Sequence, residues 1–166
     1  MVRYKIFLLL QCLLLVIPLN VFMWGNWLLV NVQWALVRYQ QSPYGPSIIP
    51  IYKDLLYIVQ GQTTGIYSIL AASFWAIGTV LLLVGLLITL IAWVNERPGL
   101  IRTASILTLC SGVLFCFSAL GRFVGGFSIP LGVPIILFIG WWMYLQEPEP
   151  EDDEDIPVAE ETTGDE

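Results

Sequence analysis

The chain has 166 residues, of which 57% are hydrophobic and only 12% charged, with a formal net charge of −6 and no histidine. An ordinary soluble domain is nearer ~25% charged, so this composition cannot cover its apolar surface with water-facing groups and calls for lipid as part of its solvent. The charge is also segregated: seven basic and two acidic residues precede position 147, and eleven acidic residues lie at or after it.

The first apolar run, 6–24, follows Arg3 and Lys5. A basic start also opens a secretory signal peptide, but no small-x-small cleavage pattern follows, and the run reads as a retained anchor. The stretch 25–65 is the one sizeable segment outside the apolar runs, and loops of that length tend to be functional or structured. In its first half Leu28, Val30, Val32, Trp34 and Leu36 alternate as on a strand, while Trp27, Val30, Trp34 and Val37 share a helical face. The valine and tryptophan content tilts the reading slightly toward strand. Ser42-Pro43-Tyr44-Gly45-Pro46 is a turn signal. Residues 51–60 then put Ile51, Leu55 and Ile58 on one face before Gly61, as in a short helix lying at the membrane surface. Trp27, Trp34, Tyr44, Tyr52 and Tyr57 are the candidate interaction surface, being residue types that settle at interfaces.

The second run, 66–94, would be ~43 Å long as a helix, more than the ~30 Å hydrocarbon core, and must tilt or project. Asn95-Glu96-Arg97-Pro98-Gly99 breaks it and makes an antiparallel hairpin with the third run, 100–120. Ala71, Gly78, Gly85 and Ala92 recur at seven-residue spacing, and the third run has its own small and hydroxylated face of Ala104, Thr108, Ser111, Gly112 and Ser118. Small residues let helices approach closely, so these faces are expected to pack on each other, an oligomer interface being the alternative. Gly121-Arg122-Phe123-Val124-Gly125-Gly126 reads as a turn, and the fourth run, 127–145, carries Pro130 and Pro134 near its start and an aromatic belt of Trp141, Trp142 and Tyr144 at its end.

These runs predict an all-α integral membrane protein. Residues 1–146 would form a four-transmembrane-helix bundle (helices at about 6–24, 66–94, 100–120 and 127–145), with one larger extracytoplasmic loop, 25–65, between the first and second helices. Residues 147–166, proline alternating with acid, would be a disordered acidic C-terminal tail. Basic residues flanking the first run and the second connection place both termini on the cytoplasmic side of the cell membrane. Arg38, Lys53 and Arg122 run against that count. The layout resembles the general plan of claudin-like tetraspan proteins. The Gly-Leu-Trp and paired loop cysteines that mark claudins are absent, so the likeness is one of topology and transfers no residue.

Function classes narrow by what is missing. No histidine, no carboxylate inside the four runs and no thiolate pair at metal-ligand spacing is present, so no catalytic, metal or cofactor-binding residue is expected. The cysteines Cys12, Cys110 and Cys116 lie in apolar runs and read as small apolar side chains. Gln11, Asn20, Thr79, Thr89, Thr108, Ser111 and Ser118 are the neutral polar groups of the runs, and no basic stripe supports nucleic-acid binding. The expected function is a non-catalytic accessory subunit or scaffold in the lipid bilayer, meeting protein partners or further copies of itself through the outer loop and acidic tail. The alternative is a small oligomeric pore or transporter lined by Gln11, Asn20 and the hydroxyl face of the third helix.

Overall fold

Proline sets the course of the first apolar run. In the computed structural model, which describes residues 2–24, 29–63, 65–124 and 126–146 without the side chains of 2, 3 and 24, helix α1 covers Val2–Val16. It stops short of Pro18, since the residue before a proline is pushed out of the helical region. The chain continues extended, and Asn20–Trp24 form strand β1. Strands β2 (Leu29–Gln33), β3 (Val37–Ser42) and β4 (Gly45–Pro50) follow, then helix α2 (Ile51–Val59). Pro43 and Tyr44 form the two-residue turn between β3 and β4, with Ser42 opposite Gly45, whose φ of 112° suits glycine. Gly61, at φ 68°, caps α2 in the left-handed conformation.

Helix α3 covers Ile66–Val94 and α4 covers Gly99–Phe123, so the expected turn at 121–123 is still helical. Strand β5 (Gly126–Ile129) precedes Pro130, and α5 begins only at Val133, with proline in its first turn, and ends at Leu145. Helix α4 lies between α3 and α5, and α1 packs on α3 and α5. Among the described residues, only α3 and α4 are long and apolar enough to cross a membrane. Helices α1 and α5, with 15 and 13 residues, reach only ~20 Å each against a core of ~30 Å.

The expected all-α, four-transmembrane-helix bundle is therefore incorrect. The chain is mixed α/β: a five-stranded antiparallel sheet in the order β4-β3-β2-β1-β5 joins a helical layer in which two helices have spanning length. The physical reason is that short apolar runs serve a strand as well as a helix, and both flanking runs are cut by a proline into a strand and a short helix. The expected outer loop, 25–65, supplies three of the strands and α2. The acidic tail, 147–166, and Trp27 lie outside the described residues.

The sheet is turned inside out. Residues directly opposed across strands share a face, so Asn20, Gln33 and Arg38 lie on one side together with Phe22, Asn31, Gln40 and Ser128. Of these Asn20, Phe22, Asn31, Gln33 and Ser128 are buried. The opposite face carries Val21, Met23, Val30, Val32, Tyr39, Ile48, Phe127 and Ile129. A sheet packed by its apolar face would show the reverse.

Two hydrogen bonds fasten the β2–β3 turn to α3. The Trp75 indole N–H donates to the Trp34 carbonyl at 2.9 Å, and the Thr79 hydroxyl to the Ala35 carbonyl at 2.7 Å. Both acceptors belong to the β2–β3 turn, where Ala35 is fully buried.

Candidate functional site

The polar inner face of the sheet meets the start of α3 and the end of α4 around a cavity of about 480 Å³. The sheet contributes Phe22, Asn31, Arg38 and Gln40, α2 contributes Asp54 and Tyr57, and the helical layer contributes Tyr67, Ser68, Ala72 and Arg122. Its volume falls in the ~300–1,000 Å³ range of small-ligand sites.

Charge is concentrated here. Arg38 Nη2 donates to Asp54 Oδ1 at 2.7 Å, with the side chains 14% and 8% exposed, so the pair is largely out of water. Asp54 reaches the sheet because Pro50 starts α2 directly after β4, putting the first turn of the helix over β3. Burial pushes the Asp54 carboxyl above the ordinary carboxylate range, against the opposing pull of Arg38 and Arg122. Burial likewise lowers the Arg38 guanidinium from its usual value, and Asp54 and Tyr57 act the other way. For both groups desolvation outweighs attraction, as is common for buried ion pairs. The Arg122 guanidinium lies over the Phe22 ring, 4.3 Å from its centroid.

Unpartnered buried polar atoms gather along the inner face of the sheet and on Arg122; those of Arg122, Arg38 and Asn31 belong to residues lining the cavity, and those of Gln33 and Asn20 lie outside its lining. Arg122 Nε and Nη2, Arg38 Nε, Asn31 Oδ1, Gln33 Oε1 and Asn20 Nδ2 have no hydrogen-bond partner, and the one such atom elsewhere among the described residues is Gln11 Oε1. Native interiors leave few such atoms, and each calls for an explanation.

The residues singled out from the sequence fall in two other places. Ala71, Gly78, Gly85 and Ala92 are buried on α3, and Ala104, Thr108, Ser111 and Gly112 on α4. The Ser111 hydroxyl donates to the Gly78 carbonyl at 2.8 Å, and Ser118 to Ala71 at 2.7 Å. A Cβ on Gly85 would stand 3.3 Å from the Ala104 carbonyl oxygen. Gly112 faces α5 instead, where a Cβ would meet Leu137 at 2.8 Å. Among the aromatic candidates Tyr44 is fully exposed at the hairpin turn, Tyr52 is exposed on α2, Trp34 is half-buried, and Tyr57 lines the cavity. No metal-ligating cluster occurs among the described residues.

Sequence reasoning missed Arg38, Asp54 and Arg122 as a group. The signal was in the charge count: Asp54 is one of two acids before position 147, and Arg38 and Arg122 were exceptions to the basic-flank pattern. A charge in the wrong place for topology is a charge kept for another reason. Comparison with protein-family models, with curated proteins and with solved structures found no match, so what this site does rests on its own geometry.

Proposed function

We propose that this is a non-catalytic, membrane-associated accessory or scaffold protein that is held in lipid by the α3–α4 hairpin and meets a protein partner through the outer face of its sheet. The observation that carries the reading is the inverted sheet: Val21, Met23, Val30, Val32, Ile48 and Ile129 are turned away from the helices while the polar residues are turned in. An apolar face of that kind marks a contact surface.

Lipid association is supported by the hairpin. Its outward residues, among them Ile77, Val80, Leu87, Ile91, Val113, Phe117 and Leu120, are exposed and apolar. Only 33% of the most apolar stretch of α3 is buried, which leaves most of an apolar helix facing outward. The basic residues Arg97 and Arg102 favour the cytoplasmic side for the 95–98 connection, which would leave the sheet on the other. The acids from 147 onward suit a second, basic partner. The inward hydroxyls of the hairpin favour this reading over an oligomeric pore, because Thr89, Thr108, Ser111 and Ser118 donate to helix carbonyls rather than facing a water path.

The test is a photo-crosslinking amino acid at Val32, with one at Leu87 as the lipid-facing control, in native membranes. Protein adducts at Val32 and none at Leu87, from a chain that resists carbonate extraction, are expected. A chain that carbonate releases, or a Val32 position that labels no protein, would refute the reading.

A further inference from the structure

Two arginines and one aspartate line the junction cavity, a surplus of one positive charge. Arg38 and Asp54 answer each other. Arg122 has the π face of Phe22, which offsets part of the cost of burial but engages none of its N–H donors. Its unpartnered nitrogens, Nε and Nη2, form a single edge of the guanidinium. Both nitrogens are closed to water, and the edge they form carries two parallel N–H groups, the fork that takes two oxygens of an oxyanion at once. Arg38 Nε is a third unpartnered donor and Asn31 Oδ1 an unpartnered acceptor, on residues that line the same cavity.

Charge balance selects among oxyanions. A single surplus positive charge is neutralised by a monoanion, whereas a phosphate monoester would carry nearly two negative charges into the same low-dielectric space. A phosphate diester has one charge and two equivalent oxygens for the Arg122 fork. If it bears a hydroxyl-rich headgroup, that hydroxyl can donate to Asn31. Phe22, Tyr67 and Ala72 line the same cavity and suit an apolar portion.

We propose that the cavity between the inner face of the sheet and the ends of α3 and α4 binds a monoanionic phosphate diester on the Nε–Nη2 edge of Arg122. Such a group comes either from an anionic phospholipid or from a soluble diester. The lipid source rests on the membrane reading above, since the cavity then lies at headgroup depth; the soluble source does not.

The test uses the full chain in uncharged phosphatidylcholine nanodiscs, with phosphatidylglycerol added in one arm and soluble glycerophosphoglycerol in the other, followed by thermal unfolding. A ligand that binds only the folded protein raises the midpoint by mass action. The rise is expected to fall in Arg122→Gln, with affinity down about tenfold or more for the loss of a charge-assisted fork. It should persist in Arg102→Gln, whose guanidinium meets Tyr144 at the opposite end of α4. A rise with phosphatidylglycerol alone assigns the lipid, and a rise with both assigns a soluble diester as well. No rise in either arm, or a rise that Arg122→Gln keeps, overturns the proposal. The soluble arm reads the site even where the membrane reading fails. Should Arg122→Gln not fold, Thr63→Trp puts bulk on the cavity lining with both arginines in place, and a rise that survives it also overturns the proposal.

Discussion

The α3–α4 seam and the sheet–helix junction both bury polar groups, and they treat them in opposite ways. In the seam, Thr89, Thr108, Ser111 and Ser118 are neutral and each donates to a helix carbonyl between 2.7 and 3.0 Å. In the junction the groups are charged or bear amides, and donors and acceptors are left over. Satisfied hydroxyls let helices meet at little cost, whereas unsatisfied guanidinium nitrogens cost stability and persist where something else repays it. The difference separates structure from recognition without reference to any relative.

Four experiments break or sharpen this contrast, and the largest effect belongs to the junction. Arg38→Met leaves Asp54 buried without its nearest partner and should cost about 3–5 kcal/mol at neutral pH, measured by denaturant titration in mild detergent. Replacing both residues, Arg38→Met with Asp54→Leu, should recover most of that loss, because desolvation already outweighs attraction in the pair. The pH dependence has a defined sign. A carboxyl whose folded pKa lies above its unfolded value stabilises fully below the ordinary carboxylate range, and that contribution is lost as the pH rises through the folded value. Acidification should therefore relieve the Arg38→Met variant, whose Asp54 has lost the pull of Arg38, more than the wild type. A single variant no less stable than the wild type at neutral pH would mean the pair is not buried in the folded protein.

The seam should respond to volume rather than charge. Gly85→Leu drives a side chain into the Ala104 carbonyl and the Thr108 hydroxyl, 3.3 and 3.4 Å from a bare Cβ, and should cost about 1–3 kcal/mol. Leu83→Ile, on the exposed side of the same helix, should be mild. Equal unfolding midpoints for the two would detach Gly85 from the helix contact.

A smaller effect joins the two regions. Trp75→Phe keeps most of the buried ring but leaves the Trp34 carbonyl without its donor, at about 1–2 kcal/mol. Hydrogen exchange should quicken in β2 and β3, since the β2–β3 turn would lose one of its two ties to α3 while Thr79 retains the other. Faster exchange in α3 alone would place the loss within the helix and leave the tie without consequence.

What the sequence made legible was local. The long run at 66–94, the break at Asn95–Gly99, the turn at Pro43-Tyr44 and the short helix ending at Gly61 each depend on neighbours in the chain. What it hid was non-local. Strand β5 pairs with β1 across about a hundred residues, with Met23 opposite Phe127, and nothing near either strand announces the other. Alternation at Val30, Asn31, Val32 and Gln33 says that two faces differ, but not which is buried, and the ordinary expectation turns the valines inward. The cavity residues were separately visible as misplaced charges. Only the fold brings Arg38, Asp54 and Arg122 together, from three elements spread over 85 positions.

The smallest expected effect is the sharpest test of the contrast, because Gln11 is, among the described residues, the one away from the junction with a junction-like defect. Its Nε2 donates to Thr108 Oγ1 at 3.0 Å, while its Oε1 is buried with no partner. Thr108 has no need of that bond as a donor, since its own hydroxyl proton goes to the Ala104 carbonyl. Gln11→Leu therefore removes an unsatisfied oxygen and leaves no donor stranded, and it keeps similar bulk against α4. Taking away both a hydrogen bond and a desolvation penalty of similar size should leave stability within about 1 kcal/mol of the wild type. If Gln11 is only packing, membrane association and Val32 crosslinking are also unchanged. A loss well above 2 kcal/mol would mean that the amide engages more than Thr108, and the helical layer would then have to be counted, like the junction, as a place that holds polar groups in reserve.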